Sequence, residues 1–219
     1  MKKVVIFDWG GVILKEYPEH YCDQDAIKDT IRKFNSNLTE EEAYKLYLDT
    51  LKNENGKNIS IFDDYDHKYE WYKRINYLGN LNATYDEFVN TFITNYKKID
   101  KYEEVVNYIC SLEGKINLVL FSDLIFVCYN ALEKHIDLKI FDKVFLSYKE
   151  GYLKSEIDAF INVENKLRLS GEDILFIDNN KNNITNANKR GWHTCHAYGY
   201  ELDKIKESVN MFLNNNLME

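Results

Sequence analysis

The chain has 219 residues, 45% of them hydrophobic and 15% aromatic. That is enough apolar material for one large domain or for a core domain with a smaller insertion, and it excludes a disordered chain. The net charge of -8 excludes a general nucleic-acid binder, which needs a basic face; a phosphorylated small molecule would have to be held by a few local cations.

The first hydrophobic run is Val4-Val5-Ile6-Phe7, followed by Asp8-Trp9-Gly10-Gly11-Val12-Ile13-Leu14. Four apolar residues without alternation predict a strand buried on both faces of a parallel sheet. Gly10-Gly11 lets the chain turn sharply as that strand ends. Asp8 thereby falls at the carboxyl end of a strand, where open α/β sheets bind ligands, and it is a candidate nucleophile or metal ligand. A turn-forming or capping role is the bland reading of an aspartate in such a place.

Amphipathic periodicity then predicts helices over 26–34, 40–51, 65–75 and 85–96, with no buried strand among them. Thr39-Glu40-Glu41-Glu42 fits a capping box at the start of the second. The Asn- and Gly-rich stretch 53–58 reads as a loop, and Asp63-Asp64-Tyr65-Asp66 as a solvated turn rather than a calcium loop. From about residue 101 the pattern alternates. Helices over 102–112, near 129–135, over 156–167 and over 183–190 are each followed by a strand, at 116–121, 143–147, 174–177 and 193–197; a last helix follows Glu201. Such alternation predicts an α/β fold with a doubly wound parallel sheet. Residues 15–97 then form an all-helical cap inserted after the first strand of a Rossmann-like core made of 1–14 and 98–219.

Four scattered cysteines without a CxxC pair read as free thiols of a reducing compartment, which makes the sequon Asn58-Ile59-Ser60 a chance product. The N-terminal apolar run is too short for a signal peptide, and no stretch approaches the roughly 20 apolar residues of a membrane span. The expectation is a soluble cytoplasmic protein, a monomer or weak homodimer, with neither nucleic acid nor membrane as partner. His193-Thr194-Cys195-His196 resembles a metal cluster only on paper, because successive strand residues face opposite ways.

The chemistry-bearing residues share one predicted sheet edge. Asp8 ends the first strand, Ser122 the second and Asp178 a later one, and Lys154 follows the strand at 143–147. A nucleophilic carboxylate, a hydroxyl, an amine and a second carboxylate suit phosphoryl transfer. The first carboxylate attacks phosphorus, Mg²⁺ between Asp8 and Asp178 offsets charge repulsion, and Ser122 and Lys154 hold the equatorial oxygens.

These residues fall in four ordered motifs: Phe7-Asp8-x-Gly10-Gly11-Val12, Phe121-Ser122-Asp123, Gly151-x-x-Lys154, and Ile177-Asp178-Asn179-x-x-x-Asn183. The set resembles the haloacid dehalogenase-like (HAD) superfamily, in the subgroup whose cap lies between the first and second motifs. The resemblance implies a Mg²⁺-dependent hydrolase, usually a phosphatase, acting on a small phosphorylated metabolite such as a sugar phosphate or nucleotide. It implies Asp8 as nucleophile, Ser122 as phosphate-binding hydroxyl and Lys154 as charge-neutralising amine. Asp8, Asp178, the Gly10 carbonyl and, through a water, Asn179 would hold the metal, while Trp9, Gly11, Asp123 and Asn183 would lie against the substrate.

Four positions depart from the pattern. Most phosphatases of the superfamily carry a second Asp, the general acid, where this chain has Gly10. Its loss costs about 10²–10⁴-fold for a poor leaving group, and the cap residues His20, Asp23 and Asp25 are candidate substitutes. Some members carry Gly here and are similar to sugar-1-phosphate phosphatases. Asn179 stands where an acid is common, Ser155 where Pro is usual, and Asp123, a candidate helix cap, where Asn is common. Two other readings compete: a phospho-ligand-binding protein with weakened catalysis, and a metal-independent dehalogenase, against which the retained Asp178 argues.

Overall fold

The structure is a computed structural model that describes residues 3–17, 21–169 and 171–214. Five strands form one parallel sheet in the order β3-β2-β1-β4-β5: β1 (Val4–Phe7), β2 (Asn117–Ser122), β3 (Lys143–Leu146), β4 (Ile174–Asp178) and β5 (His193–His196). β1 is central, paired with β2 on one side and β4 on the other. Its residues are buried on both faces, as an uninterrupted apolar run requires. Val5 and Phe7 join one apolar core, while Val4 and Ile6 join a second with Phe160, Phe176 and Trp192.

Between β1 and β2 lie α1 (Gln24–Phe34), α2 (Glu40–Thr50), α3 (Tyr65–Gly79) and α4 (Tyr85–Tyr96), and then α5 (Glu103–Leu112) leads into the sheet. α1 packs on α2 and α4, and α2 on α3. Their apolar faces, with Ile27, Trp71, Phe88 and Phe92, are continuous with the core on the Val5–Phe7 side of the sheet. The predicted capping box is present: Glu42 N–H donates to Thr39 Oγ1 at 3.2 Å, and Thr39 N–H donates to the Glu42 carboxylate at 2.8 Å. Thr84 and Glu87 repeat it at the start of α4; each such cap is worth about 1 kcal/mol. Asp64, read from sequence as part of a solvated turn, accepts a hydrogen bond from His67 N–H at 3.0 Å and caps α3.

The further α-helices among the described residues are α6 (Tyr129–Leu132), α7 (Ser147–Glu150), α8 (Ile157–Leu167), α9 (Lys181–Lys189) and α10 (Leu202–Asn214). The helix predicted near 129–135 is shorter than expected, because His135 N–H closes a tight bond to Leu132 O. That turn carries the His135 ring inward against Trp9 and Tyr96, at centroid distances of 5.9 and 6.2 Å. Tertiary packing here outweighs helix propensity. No helix of the described residues is long and apolar enough to cross a membrane.

The helical insertion is tied to the sheet by buried polar contacts. Ser147 Oγ donates to Ser60 O at 2.8 Å and accepts from Leu124 N–H at 2.9 Å. Trp9 Nε1–H donates to Tyr96 Oη at 2.9 Å, joining the loop after β1 to the end of α4.

Candidate active site

Asp8 extends the central ladder by one residue, since its N–H donates to Ile177 O at 3.0 Å. Its carboxylate therefore leaves the sheet at the carboxyl edge, beside the boundary between β1 and β4 where the chain reverses its direction of winding. That is the switch point at which such sheets bind ligands. Ser122 ends β2 and Asp178 ends β4 at the same edge. Lys154 comes from the segment after α7, and all four side chains are buried.

Lys154 Nζ lies 2.6 Å from Asp8 Oδ1 and 2.8 Å from Asp178 Oδ2. Asp178 is held further by Asn183 Nδ2 at 3.0 Å and by Asn180 N–H at 2.6 Å, while Asp8 accepts from Trp9 N–H at 2.6 Å. Burial, and then the like charge of Asp178, push the Asp8 carboxyl well above the usual carboxylate range, against the opposing pull of Lys154. Burial works to lower the Lys154 amine, but Asp178, Asp8 and Asp123 together hold it above its ordinary value. Ser122 Oγ is left with one long contact, 3.3 Å to Asp123 O, and retains capacity for a ligand oxygen.

The Asp123 carboxylate turns to the Lys154 main-chain N–H, at 2.9 Å from Oδ1. It fixes the loop that delivers the lysine. Asn183 likewise acts on Asp178 and lines the cavity above Asp8. That cavity, of about 640 Å³, lies between the sheet edge and the helical insertion, which contributes Asp23, Tyr44 and Tyr47 to its walls. Trp9 lines it as well, although its indole is buried and bonded to Tyr96.

Gly11, expected against the substrate, is not among the lining residues. It has φ +76°, and a Cβ there would meet Asn179 Nδ2 at 2.2 Å. Backbone geometry and the asparagine packed on it demand glycine here. Asn179 in turn spends its amide N–H on Glu16 Oε1 at 3.1 Å.

Glu16 is the residue that sequence reasoning missed. A Cβ on Gly10 would lie 3.0 Å from Glu16 Oε2, so this carboxylate occupies the space left by the missing side chain. Glu16 Oε2 accepts Cys22 N–H at 3.2 Å, so each of its oxygens already accepts a hydrogen bond; burial raises its pKa. Among the proposed substitute acids, Asp23 lines the cavity and accepts from Tyr47 Oη–H at 3.0 Å. Asp25 pairs with Lys28 at 2.8 Å and does not line the cavity. His20 lies outside the described residues.

Among the described residues no three His, Cys, Asp or Glu side chains group in metal-binding geometry. Asp8 and Asp178, two carboxylates drawn to one amine, instead suit Mg²⁺, which takes one or two carboxylates and completes its shell with main-chain, water and phosphate oxygens.

No protein-family model and no curated protein matches the chain. Solved structures do. A predicted HAD-like family hydrolase from Porphyromonas gingivalis is 22% identical, with a TM-score of 0.64 over 91% of this chain and 92% of that one. The HAD family enzyme BT-2542 of Bacteroides thetaiotaomicron, in complex with magnesium and inorganic phosphate, is 17% identical, with a TM-score of 0.63 over 89% and 93%. The L-2-haloacid dehalogenase of Xanthobacter autotrophicus is 16% identical, with a TM-score of 0.59 over 89% and 76%. The chain thus has the HAD-like fold: a Rossmann-like parallel sheet with a helical cap.

Proposed function

We propose that this chain is a Mg²⁺-dependent phosphomonoesterase that hydrolyses a small phosphorylated metabolite through an aspartyl-phosphate on Asp8. The observation that carries the reading is the convergence of Asp8, Asp178, Lys154 and Ser122 at one point of the sheet edge, beneath a cavity. The magnesium and phosphate complex of BT-2542 supports it by analogy of fold.

In this reading the Asp8 carboxylate attacks phosphorus as the ester P–O bond breaks, and water then releases phosphate from the aspartyl group. Ser122 and Lys154 donate to the phosphoryl oxygens, where charge accumulates in the transition state. Asp178 is positioned for its part by Asn183 and the Asn180 N–H, and Lys154 by Asp123. Asp8, Asp178 and the Gly10 carbonyl would hold Mg²⁺, whose positive charge lessens the repulsion between a carboxylate and a phosphate dianion. Gly10 supplies no proton donor, and Glu16 beside it is occupied as a double acceptor. Esters whose leaving groups depart readily are therefore the favoured substrates.

The test is hydrolysis of aryl, sugar-1- and sugar-6-phosphates with and without Mg²⁺, by wild type and Asp8→Asn. Mg²⁺-dependent turnover lost in the variant supports the proposal. Phosphate binding without turnover supports the binding-protein reading, and metal-free halide release the dehalogenase.

A further inference from the structure

Among the described residues lining the cavity above Asp8, Lys154 is the one cation, and its ammonium already lies between Asp8 and Asp178. Glu16 and Asp23 line the same cavity, together with the phenols of Tyr44 and Tyr47. Neither carboxylate has an ion-pair partner among the described residues: Glu16 is held by Asn179 and the Cys22 N–H, and Asp23 by the Tyr47 hydroxyl. All of these partners are uncharged donors, which stabilise a carboxylate without cancelling its charge.

We propose that the substrate is a monophosphate ester whose leaving group carries no second negative charge, and that Glu16 and Asp23 enforce this selection. The proposal rests on the phosphatase reading and narrows its substrate class to uncharged or cationic leaving groups. A second phosphate or a carboxylate entering the cavity would lose its water and find no free cation among the described lining residues to replace it. It would also face two fixed charges of its own sign. At an effective dielectric of about 20, one such pair at about 6 Å corresponds to a penalty on the order of a hundredfold. Bisphosphates, phosphorylated carboxylic acids and nucleoside polyphosphates are thereby excluded. Alcohols bearing hydroxyl or amino groups are admitted, because their N–H and O–H donors can use the lone pairs that Glu16 and Asp23 keep.

The experiment uses phenyl phosphates that carry a carboxamide, a carboxylate or an aminomethyl group at one ring position. Wild type, Glu16→Gln, Asp23→Asn and the double variant are compared in kcat/KM; Asp23→Asn keeps an acceptor oxygen for Tyr47 Oη–H, and Glu16→Gln keeps one for either Asn179 Nδ2 or the Cys22 N–H. Wild type should prefer the carboxamide ester over the carboxylate ester by tenfold or more, chiefly through KM. That ratio should shrink in each single variant and fall near unity in the double. Binding of the matching phosphonates by calorimetry reads the same discrimination without turnover. If neither ester is hydrolysed while the phosphonates keep the charge ratio, the phosphatase reading fails and the selection stands. Equal affinity of wild type for the carboxylate and carboxamide compounds, or a ratio unchanged in the double variant, would overturn the proposal.

Discussion

The Lys154 ammonium lies 2.6 Å from Asp8 and 2.8 Å from Asp178, and all three side chains are buried. Lys154→Met would leave two carboxylates facing each other in a low-dielectric site, a change that typically costs about 3–5 kcal/mol. Urea unfolding should show this loss at neutral pH, and added Mg²⁺ should recover part of it by binding the folded state. The loss should also shrink as pH falls. The Asp8 carboxyl is already held above its ordinary range by burial, so the folded state takes up its proton before the unfolded chain does.

Gly10 and Glu16 share one space. A Cβ on Gly10 would lie 3.0 Å from Glu16 Oε2, so Gly10→Asp alone would set two carboxylates against each other and should gain little activity. Gly10→Asp combined with Glu16→Ala frees the space and supplies a proton donor. Turnover of alkyl phosphates, the esters that most need protonation, should rise at least tenfold over wild type while aryl phosphates change little.

Gly11→Ala should destabilise the fold by more than 1 kcal/mol. The residue has φ +76°, and its new methyl would meet Asn179 between 2.2 and 2.8 Å. Asn179 cannot simply swing away, being bonded to Glu16. Denaturation midpoints of Gly11→Ala and of the nearby Gly10→Ala separate the two causes. Gly10 is not among the positive-φ residues and would meet only the flexible end of Glu16 and the Cys22 sulfur, so the second variant should lose less.

His135 is buried beside Trp9, its Nε2 has no hydrogen-bond partner among the described residues, and burial lowers its pKa from 6.5 to about 4. Above pH 6.5 the ring is neutral folded or unfolded. Between the two values the unfolded chain binds a proton that the folded protein refuses, so stability falls as pH falls, by up to about 3 kcal/mol. His135→Gln removes this contribution. Its unfolding free energy should therefore drop less than that of wild type between pH 7.5 and 4.5.

The parallel sheet, the strand-end places of Asp8, Ser122 and Asp178, and the place of Lys154 after a strand were legible because they rest on short-range signals: apolar runs, a glycine pair and polar residues at strand ends. Thr39 and Glu42 were legible for the same reason. Glu16 was not, since a carboxylate in an irregular linker has no period, and only the folded chain brings it over Gly10. At Gly11 a motif records that glycine is needed without recording why; the positive φ and the packed Asn179 are reasons that only the folded chain shows. The truncation of the helix at Leu132 follows from the burial of His135 against two aromatic rings, a tertiary cause that local propensity does not carry.

The most direct test is to trap phosphate on the nucleophile. Wild type is mixed with Mg²⁺ and an aryl phosphate, quenched in acid within the first turnovers, digested and weighed by mass spectrometry. A phosphoryl group on the peptide holding Asp8, labile to hydroxylamine and missing from Asp8→Asn, is the expected result. Steady turnover with no such adduct, undiminished in Asp8→Asn, would contradict the account.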